Sequence, residues 1–272
     1  MKTSVMRSVV LLILTVYLTG GEVVGQHPLV GTWEMISVKG IGADGENFFF
    51  DTTSVRETKI ITPTHYMLIA WDVDKDSLMF NRTMAGQVSL DGNKYIEIPT
   101  QASVQIFENV KVNFFWKLKG DLFTQSGTIV RPDGKTVVLE ELIFKRVTDI
   151  QSARENPVIG TWKQISGNYA TAGKETPSFG KSDEGLLLVN PTHWMRMDHR
   201  NQKFEGVMYG TYTLDGDNVV KNIVYSSYPL KKSDRFSSMK KVNRNRVQVV
   251  STRMTLEGKP ETFYDTFEKV ND

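Results

Sequence analysis

The sequence predicts an all-β protein that consists of two antiparallel up-and-down β-barrels in tandem, each with about eight strands. Three observations support this prediction: an internal repeat, a succession of short β-type segments, and the turn signals between them. The chain of 272 residues is longer than one typical domain. Its 40% hydrophobic and 10% aromatic content is normal for a folded protein.

The chain repeats four landmarks in the same order. PLVGTWEMIS, which begins at Pro28, recurs as PVIGTWKQIS, which begins at Pro157. PTHYM then recurs as PTHWM, MAGQVSLDG as MYGTYTLDG, and IFKRV as TFEKV, while the offset drifts only from 129 to 123 positions. Because chance does not preserve an ordered set of motifs, we interpret 28–147 and 157–270 as two homologous domains, joined by a polar linker at 148–156.

Each copy contains short segments that are rich in β-branched and aromatic residues and lack helical periodicity, such as TKIITPTHYMLIAW and TVVLEELIFKRV. Turn signals separate these segments, among them LDGN, RPDG and LDGDN. Asp-Gly between apolar segments is a strong hairpin signal, because its turn needs positive φ. An antiparallel meander is therefore expected, and closure into a barrel would remove its exposed edges.

The first 25 residues predict a secretory signal peptide. Lys2 and Arg7 precede the apolar run SVVLLILTV, and small residues follow at Gly20, Gly21 and Gly25. This run is shorter than the roughly 20 apolar residues that a membrane-spanning helix needs. We expect cleavage after Gly25, or alternatively at Gly20 or Gly21, and hence an exported protein, periplasmic or secreted. The chain has no cysteine, so no disulfide supports the fold.

The ordered set GTW, PTHxM, G-x-(V/Y)-(S/T)-LDG and F-x-(R/K)-V resembles the bacterial secreted lipocalin-like domains of the calycin superfamily, which have no settled function. The resemblance implies that the tryptophan of each GTW packs against a cation from the last strand and closes the barrel. The matching residues are Trp33 with Arg146 (or Lys145), and Trp162 with Lys269. Since lysine lacks the planar guanidinium that stacks on indole, a looser second closure is expected. The later lipocalin motifs are not recognisable.

His65 and His193, in the repeated Pro-Thr-His phrase, are the natural candidates for chemistry. Catalysis would require an activated nucleophile, yet the adjacent Thr64 and Thr192 are poor nucleophiles and no GxSxG motif is present. One histidine per domain is too few for a zinc site. We favour a strand corner held by side-chain hydrogen bonds; a ligand-orienting role, or an enzyme or haem protein using these histidines, are the alternatives.

The aromatic and methionine content favours a small-molecule site, because a barrel of this size either fills its interior or holds one small ligand. No catalytic residue, metal site or cofactor is expected, with haem as the minor alternative. The expected ligand is small and apolar or amphipathic. The candidate ligand-binding residues are His65, Tyr66, Trp71, Trp116, His193, Trp194, Met197 and Tyr212.

A basic segment runs from Lys231 to Arg246 and carries seven cations and one acid. A solvated hairpin is the simplest interpretation, and an acidic glycan or protein partner is the alternative. No nucleic-acid motif and no membrane span after signal cleavage are found in the sequence. The function predicted from these features is an exported, non-enzymatic binding protein; a structural interaction module is a further alternative.

Overall fold

The computed structural model describes residues 27–74, 77–107, 110–147, 158–171, 174–215, 218–228, 236–254 and 259–270. The expected signal peptide and linker lie outside these residues, as does 231–235 of the basic segment. No helix within the described residues is long and apolar enough to cross a membrane.

The first repeat folds into antiparallel strands, with one 3-10 turn at Gln105–Phe107 among its described residues. The strands are β1 (Gly31–Ile41), β2 (Asn47–Asp51), β3 (Val55–Ile61), β4 (His65–Asp74), β5 (Ser77–Asp91), β6 (Lys94–Ala102), β7 (Lys111–Lys119), β8 (Leu122–Val130) and β9 (Thr136–Arg146).

The second repeat follows the same plan. Its strands are β10 (Gly160–Thr171), β11 (Lys174–Pro177), β12 (Glu184–Val189), β13 (His193–Arg200), β14 (Lys203–Asp215), β15 (Asn218–Ser226), β16 (Phe236–Asn243), β17 (Arg246–Met254) and β18 (Pro260–Lys269).

Each sheet closes on itself. In the described part of the first repeat, eight strands form a ring from β1 through β3 to β9, because β9 pairs back onto β1, while β2 pairs only with the end of β1. In the second repeat β18 pairs back onto β10 in the same way. Gly92 and Gly134 adopt positive φ in their Asp-Gly turns. The prediction of two closed antiparallel barrels is confirmed, and one barrel for each repeat fits a tandem duplication.

One end of each barrel is closed by the GTW tryptophan. The indole Nε1 of Trp33 donates to the carbonyl of Leu29 at 2.8 Å, and Trp162 repeats this bond to Val158 at 2.8 Å. The Arg146 guanidinium carbon lies 4.1 Å from the Trp33 ring centroid. The Lys269 Nζ lies 6.0 Å from the Trp162 centroid.

The two barrels share an apolar cluster that is formed by the outer faces of β3–β5 and β12–β14. Trp71 stacks on Tyr225 at 5.2 Å between centroids, and Phe80 stacks on Phe204 at 5.5 Å. The buried members are Ile60, Met67, Ile69, Trp71, Ala85, Leu186, Leu188, Met195, Met197, Val207 and Tyr209. The barrels are therefore packed against each other through a continuous hydrophobic core.

Polar contacts across this interface occur between equivalent positions of the two repeats. The Thr62 and Thr161 hydroxyls are 2.8 Å apart, and the Asn190 side-chain amide donates to the Thr32 hydroxyl. Thr62 and Asn190 occupy equivalent positions of the two copies, and so do Thr32 and Thr161. The same pair of positions therefore meets twice, as an approximate two-fold relation between the barrels requires.

Candidate functional site

The interior of the first barrel is filled around a buried ion pair. Lys59 Nζ lies 2.8 Å from a carboxylate oxygen of Glu97, and both side chains are 2% exposed. Lys59 also donates to the Gln125 amide oxygen at 3.3 Å and lies 5.0 Å from the Phe144 ring centroid. Large aromatic side chains occupy the surrounding space, with Trp33 against Phe123 at 5.1 Å between centroids.

The second barrel contains a cavity of about 870 Å³. Its apolar wall is formed by Trp194, Met208, Ile223 and Phe263. Its mouth lies at the end of the barrel opposite Trp162, where the segment that joins β11 to β12 and the hairpin between β13 and β14 meet. The cavity therefore combines an apolar surface with access from one end.

A closed polar network lies against one side of this cavity. The Arg196 guanidinium donates to Asp198 at 2.8 Å, to Asp265 at 2.6 Å and to the Gln164 amide oxygen at 3.1 Å. Gln164 donates in turn to Asp265 at 3.0 Å, and the Tyr228 hydroxyl donates to Asp198 at 2.9 Å. Each member of the network thus forms at least one hydrogen bond to another member, as buried polar side chains require.

Burial and neighbouring charges both shift the pKa values of this network. Burial alone would lower the pKa of Arg196, but the carboxylates of Asp198 and Asp265 outweigh it and raise that pKa. Burial, together with the negative charge of Asp198, raises the pKa of Tyr228. Arg196 is therefore a permanent cation, and Tyr228 is a permanent hydrogen-bond donor.

Residue differences between the copies explain why only the second barrel carries this network. The four charged or amide positions of the network are apolar and buried in the first copy. Leu68 stands in place of Arg196, Ala70 in place of Asp198, Met35 in place of Gln164 and Leu142 in place of Asp265. The second copy therefore replaces part of an apolar core by a polar wall.

Two glycines make room for the network. A Cβ atom at Gly206 would lie 2.4 Å from the Tyr228 ring, and one at Gly185 would lie 2.3 Å from the Gln164 amide oxygen. The equivalent residues of the first copy, Arg82 and Glu57, form a 2.7 Å salt bridge instead.

Lys221 lies at the inner part of the cavity and is 1% exposed. Its Nζ is 3.8 Å from the Trp194 ring centroid. Among the described residues no salt bridge or hydrogen bond engages this amine, since Asp198 and Asp265 are bound to Arg196. Burial and the positive charge of Arg196 lower the pKa of Lys221 to about 7, against the opposing pull of Asp265 and Asp198.

The charged residues that line the cavity are mainly acidic. Among the described lining residues, six carboxylates face three cations, and four of the carboxylates belong to residues outside the Arg196 network: Asp183, Glu184, Glu205 and Glu261. Arg200 forms a 3.2 Å salt bridge with Glu205 at the mouth. Burial raises the pKa of Glu205.

The predicted ligand-binding residues of the second copy separate into two groups. Trp194 lines the cavity and donates from its indole to the carbonyl of Thr211 at 3.0 Å. Tyr212 packs against the same interior cluster, with its hydroxyl 2.6 Å from the Asn190 carbonyl. Met197 faces outward, into the cluster between the barrels.

The predicted residues of the first copy lie in different parts of the structure. Tyr66 is fully buried in the barrel interior, and Trp116 packs against that interior with its ring 5.5 Å from that of His27. Trp71 lies outside the barrel, in the interface cluster.

Both histidines of the repeated phrase lie at strand corners. The backbone N–H of His65 donates to the Thr62 hydroxyl at 3.0 Å, and that of His193 donates to the Asn190 side chain at 2.8 Å. Thr64 lies 2.9 Å from the His65 ring Nδ1, and the His193 ring stacks on Tyr209 at 5.6 Å. The phrase therefore connects two strands next to the barrel interface.

No group of three or more His, Cys, Asp or Glu side chains suited to a metal ion is found in the described residues.

In the basic segment, β16 and β17 form the hairpin around Arg244, so part of this segment is an ordinary β-hairpin turn. Residues 231–235, which carry its first three cations, lie outside the described residues.

Sequence reasoning missed the polar network and Lys221. One signal was present: in HWMRMDH, Arg196 and Asp198 alternate with the methionines and therefore share the opposite face of β13. A second signal was the exchange of Glu57 and Arg82 for glycines between the copies.

No protein-family model matches the chain, and no curated protein matches it in sequence. Among solved structures, it is similar to a protein of unknown function from the DUF3598 family of Nostoc punctiforme, with 11% identity and a TM-score of 0.28 over 89% of this chain and 96% of that chain. It is also similar to a mutant of the vaccine antigen transferrin-binding protein B from Haemophilus parasuis, with 6% identity and a TM-score of 0.30 over 91% and 77% of the two chains. Kievitone hydratase from Nectria haematococca shows 8% identity and a TM-score of 0.23 over 89% and 90%. Likenesses this low support no conclusion about the function of this chain.

Proposed function

We propose that this protein is an exported, non-enzymatic binding protein of the lipocalin-like type, whose second barrel holds a small amphipathic molecule. The single observation that supports this proposal is the cavity of about 870 Å³. Small-molecule sites in proteins are typically clefts of roughly 300–1,000 Å³ with apolar walls and a few placed polar groups.

The cavity lining suggests which molecules are accepted. Trp194, Ile223 and Phe263 offer an apolar surface, whereas Gln164 and Lys221 offer polar atoms at fixed positions. Because carboxylates outnumber cations around the cavity, anionic ligands are disfavoured and uncharged or cationic ones are favoured. An amphipathic molecule would place its apolar part against the aromatic wall and its polar end near Lys221.

The first barrel is proposed to have a structural role. Its interior is filled around the Lys59–Glu97 pair, and its outer face covers apolar residues of the second barrel. Without this cover, Met195, Met197 and Val207 would be exposed to water at a cost of about 25 cal/mol for each Å² of apolar area.

The test is binding of an uncharged probe to the full two-barrel protein. Fluorescence of 1-aminoanthracene, displaced by 1-decanol, should show one saturable site for each chain. Met208→Trp places a larger side chain on the cavity wall, where it occupies part of the cavity. It should weaken the affinity for decanol at least about tenfold, since displaced ligand atoms lose their contacts.

Met84 provides the matched control, because it occupies the position of the first copy that is equivalent to Met208. Met84→Leu should leave decanol binding unchanged. Absence of saturable binding in the native protein, or unchanged affinity in a folded Met208→Trp variant, would contradict the proposal.

A further inference from the structure

We propose that Lys221 captures an apolar aldehyde inside the second barrel as a covalent imine. This inference rests on the proposed function, because the aldehyde must first occupy the cavity, and it deepens that function by naming the reactive group of the ligand.

The position of Lys221 is the first support. Its side chain is 1% exposed, lines the cavity and carries its Nζ over the Trp194 ring at 3.8 Å. Within the described residues this amine forms no salt bridge or hydrogen bond, although two carboxylates lie in the neighbouring network. Lys221 therefore forms part of the cavity wall without engaging a carboxylate directly within the described structure.

Comparison with the first barrel shows that Lys221 is not one half of a structural ion pair. The equivalent residue of the first copy is Glu97, whose partner Lys59 lies 2.8 Å away. In the second copy Lys59 is replaced by Leu187, and Glu97 is replaced by Lys221. Within the described residues Lys221 contacts the Trp194 ring but forms no salt bridge; a buried cation of this kind is costly, and a ligand that engages its nitrogen offsets that cost.

The protonation state of Lys221 suits a nucleophile. The charged groups that face it are Arg196 and Asp198 from β13 and Asp265 from β18. Because burial and Arg196 lower its pKa to about 7, about half of the amine is neutral at pH 7, against roughly one in 2,500 for an ordinary lysine. Neutral lysine in a desolvated pocket is the form that attacks carbonyl carbon.

The charge of the cavity selects an uncharged carbonyl over a carboxylate. An anion would approach Lys221 past Asp183, Glu205 and Glu261 at the mouth. An aldehyde carries no charge, and its alkyl or aryl part suits the wall of Trp194 and Ile223.

The chemistry needs no further reactant. The Lys221 nitrogen attacks the aldehyde carbon, and the carbonyl oxygen takes up the proton that the nitrogen loses. This carbinolamine then expels its oxygen as water, together with the second proton of the amine, and a carbon–nitrogen double bond forms. Oxidation states balance without an oxidant, and the imine, when protonated, lies near the carboxylates of Asp198 and Asp265.

The experiment uses decanal with sodium cyanoborohydride, followed by intact mass measurement and peptide mapping of the full protein. One reduced adduct for each chain is expected at Lys221, formed at least about tenfold faster than at any other lysine, because its neutral fraction is so much larger. Decanol, which has no carbonyl, should bind without an adduct and should compete with decanal.

Lys221→Arg should abolish the adduct, because its guanidinium stays charged and does not attack the aldehyde carbon. Lys221→Met serves as the second variant should the arginine disturb folding, with the melting temperature as the check. Lys163→Arg, at an exposed site on β10, is the matched control and should keep the adduct.

Decanol binding without preferential trapping at Lys221 would overturn the inference and leave the proposed function standing. Failure of decanol to bind at all would overturn both. Trapping that persists in a folded Lys221→Met variant would also overturn the inference.

Discussion

Lys59→Met is expected to destabilise the first barrel strongly, because it leaves Glu97 buried without its cation. The two charged atoms are 2.8 Å apart and both side chains are 2% exposed, so water cannot replace the lost partner. The substitution also removes the hydrogen bond to Gln125, whose side-chain nitrogen already has no partner within the described structure.

The magnitude follows from the burial of the pair. Breaking a buried ion pair by removing one partner costs about 3–5 kcal/mol, whereas replacing both partners by apolar residues of similar volume is often neutral. Lys59→Met should therefore cost about 3–5 kcal/mol, and the double variant Lys59→Met with Glu97→Leu should recover most of that loss.

Urea unfolding of the full chain measures these free energies, with the m value as the check that the same surface unfolds in each variant. Lys163→Met, on the exposed face of β10, is the control and should change stability by less than about 0.5 kcal/mol. A loss below about 1 kcal/mol in Lys59→Met, or a double variant no better than the single one, would refute the argument.

The remaining predictions concern the second barrel and the interface. Lys221 has a native pKa of about 7 against about 10.4 when unfolded, so the unfolded chain binds more protons between these values and native stability should rise with pH across that window. Melting temperatures at pH 7 and pH 9.5 should show this rise relative to Lys221→Met, and a constant difference would contradict it. Trp71→Ala removes the stack on Tyr225 and should cost about 3–5 kcal/mol in urea unfolding, whereas Phe49→Ala, at a side chain that is 62% exposed, should cost less than about 0.5. Asn190→Ala leaves the backbone N–H groups of Thr192 and His193 without their acceptor and should cost about 1–3 kcal/mol by the same measurement; a neutral result would show that water replaces the side chain.

The fold was predictable because its signals are local and occur twice. Asp-Gly turns, β-type segments and the repeated GTW specify hairpins and a meander without knowledge of long-range contacts. Closure could be expected because an open meander would leave edges unpaired. The pairing of β1 with β9, and of β10 with β18, satisfies those edges.

The site was less predictable because alternation along a strand shows which residues share a face, but not which face is inside. In β13, Met197 was expected to bind a ligand, yet Met195 and Met197 face the other barrel while Arg196 and Asp198 line the cavity. In an isolated barrel the apolar face would be inside. The second barrel is an exception because the first one covers its outer apolar face, and this interaction has no signature within a single copy.

The interface positions and the interior positions differ in how similar the two copies are. The corner and GTW positions that meet across the barrels remain polar or small in both copies, since each must fit the same contact twice. The interior positions face no such requirement, because each barrel encloses only its own side chains. The second interior therefore has the Arg196 network and a cavity in place of apolar packing. The network costs stability unless every polar atom is satisfied, and the cavity costs packing contacts. The shared apolar cluster offsets that cost from outside, so the first barrel stabilises a second barrel that contains a cavity.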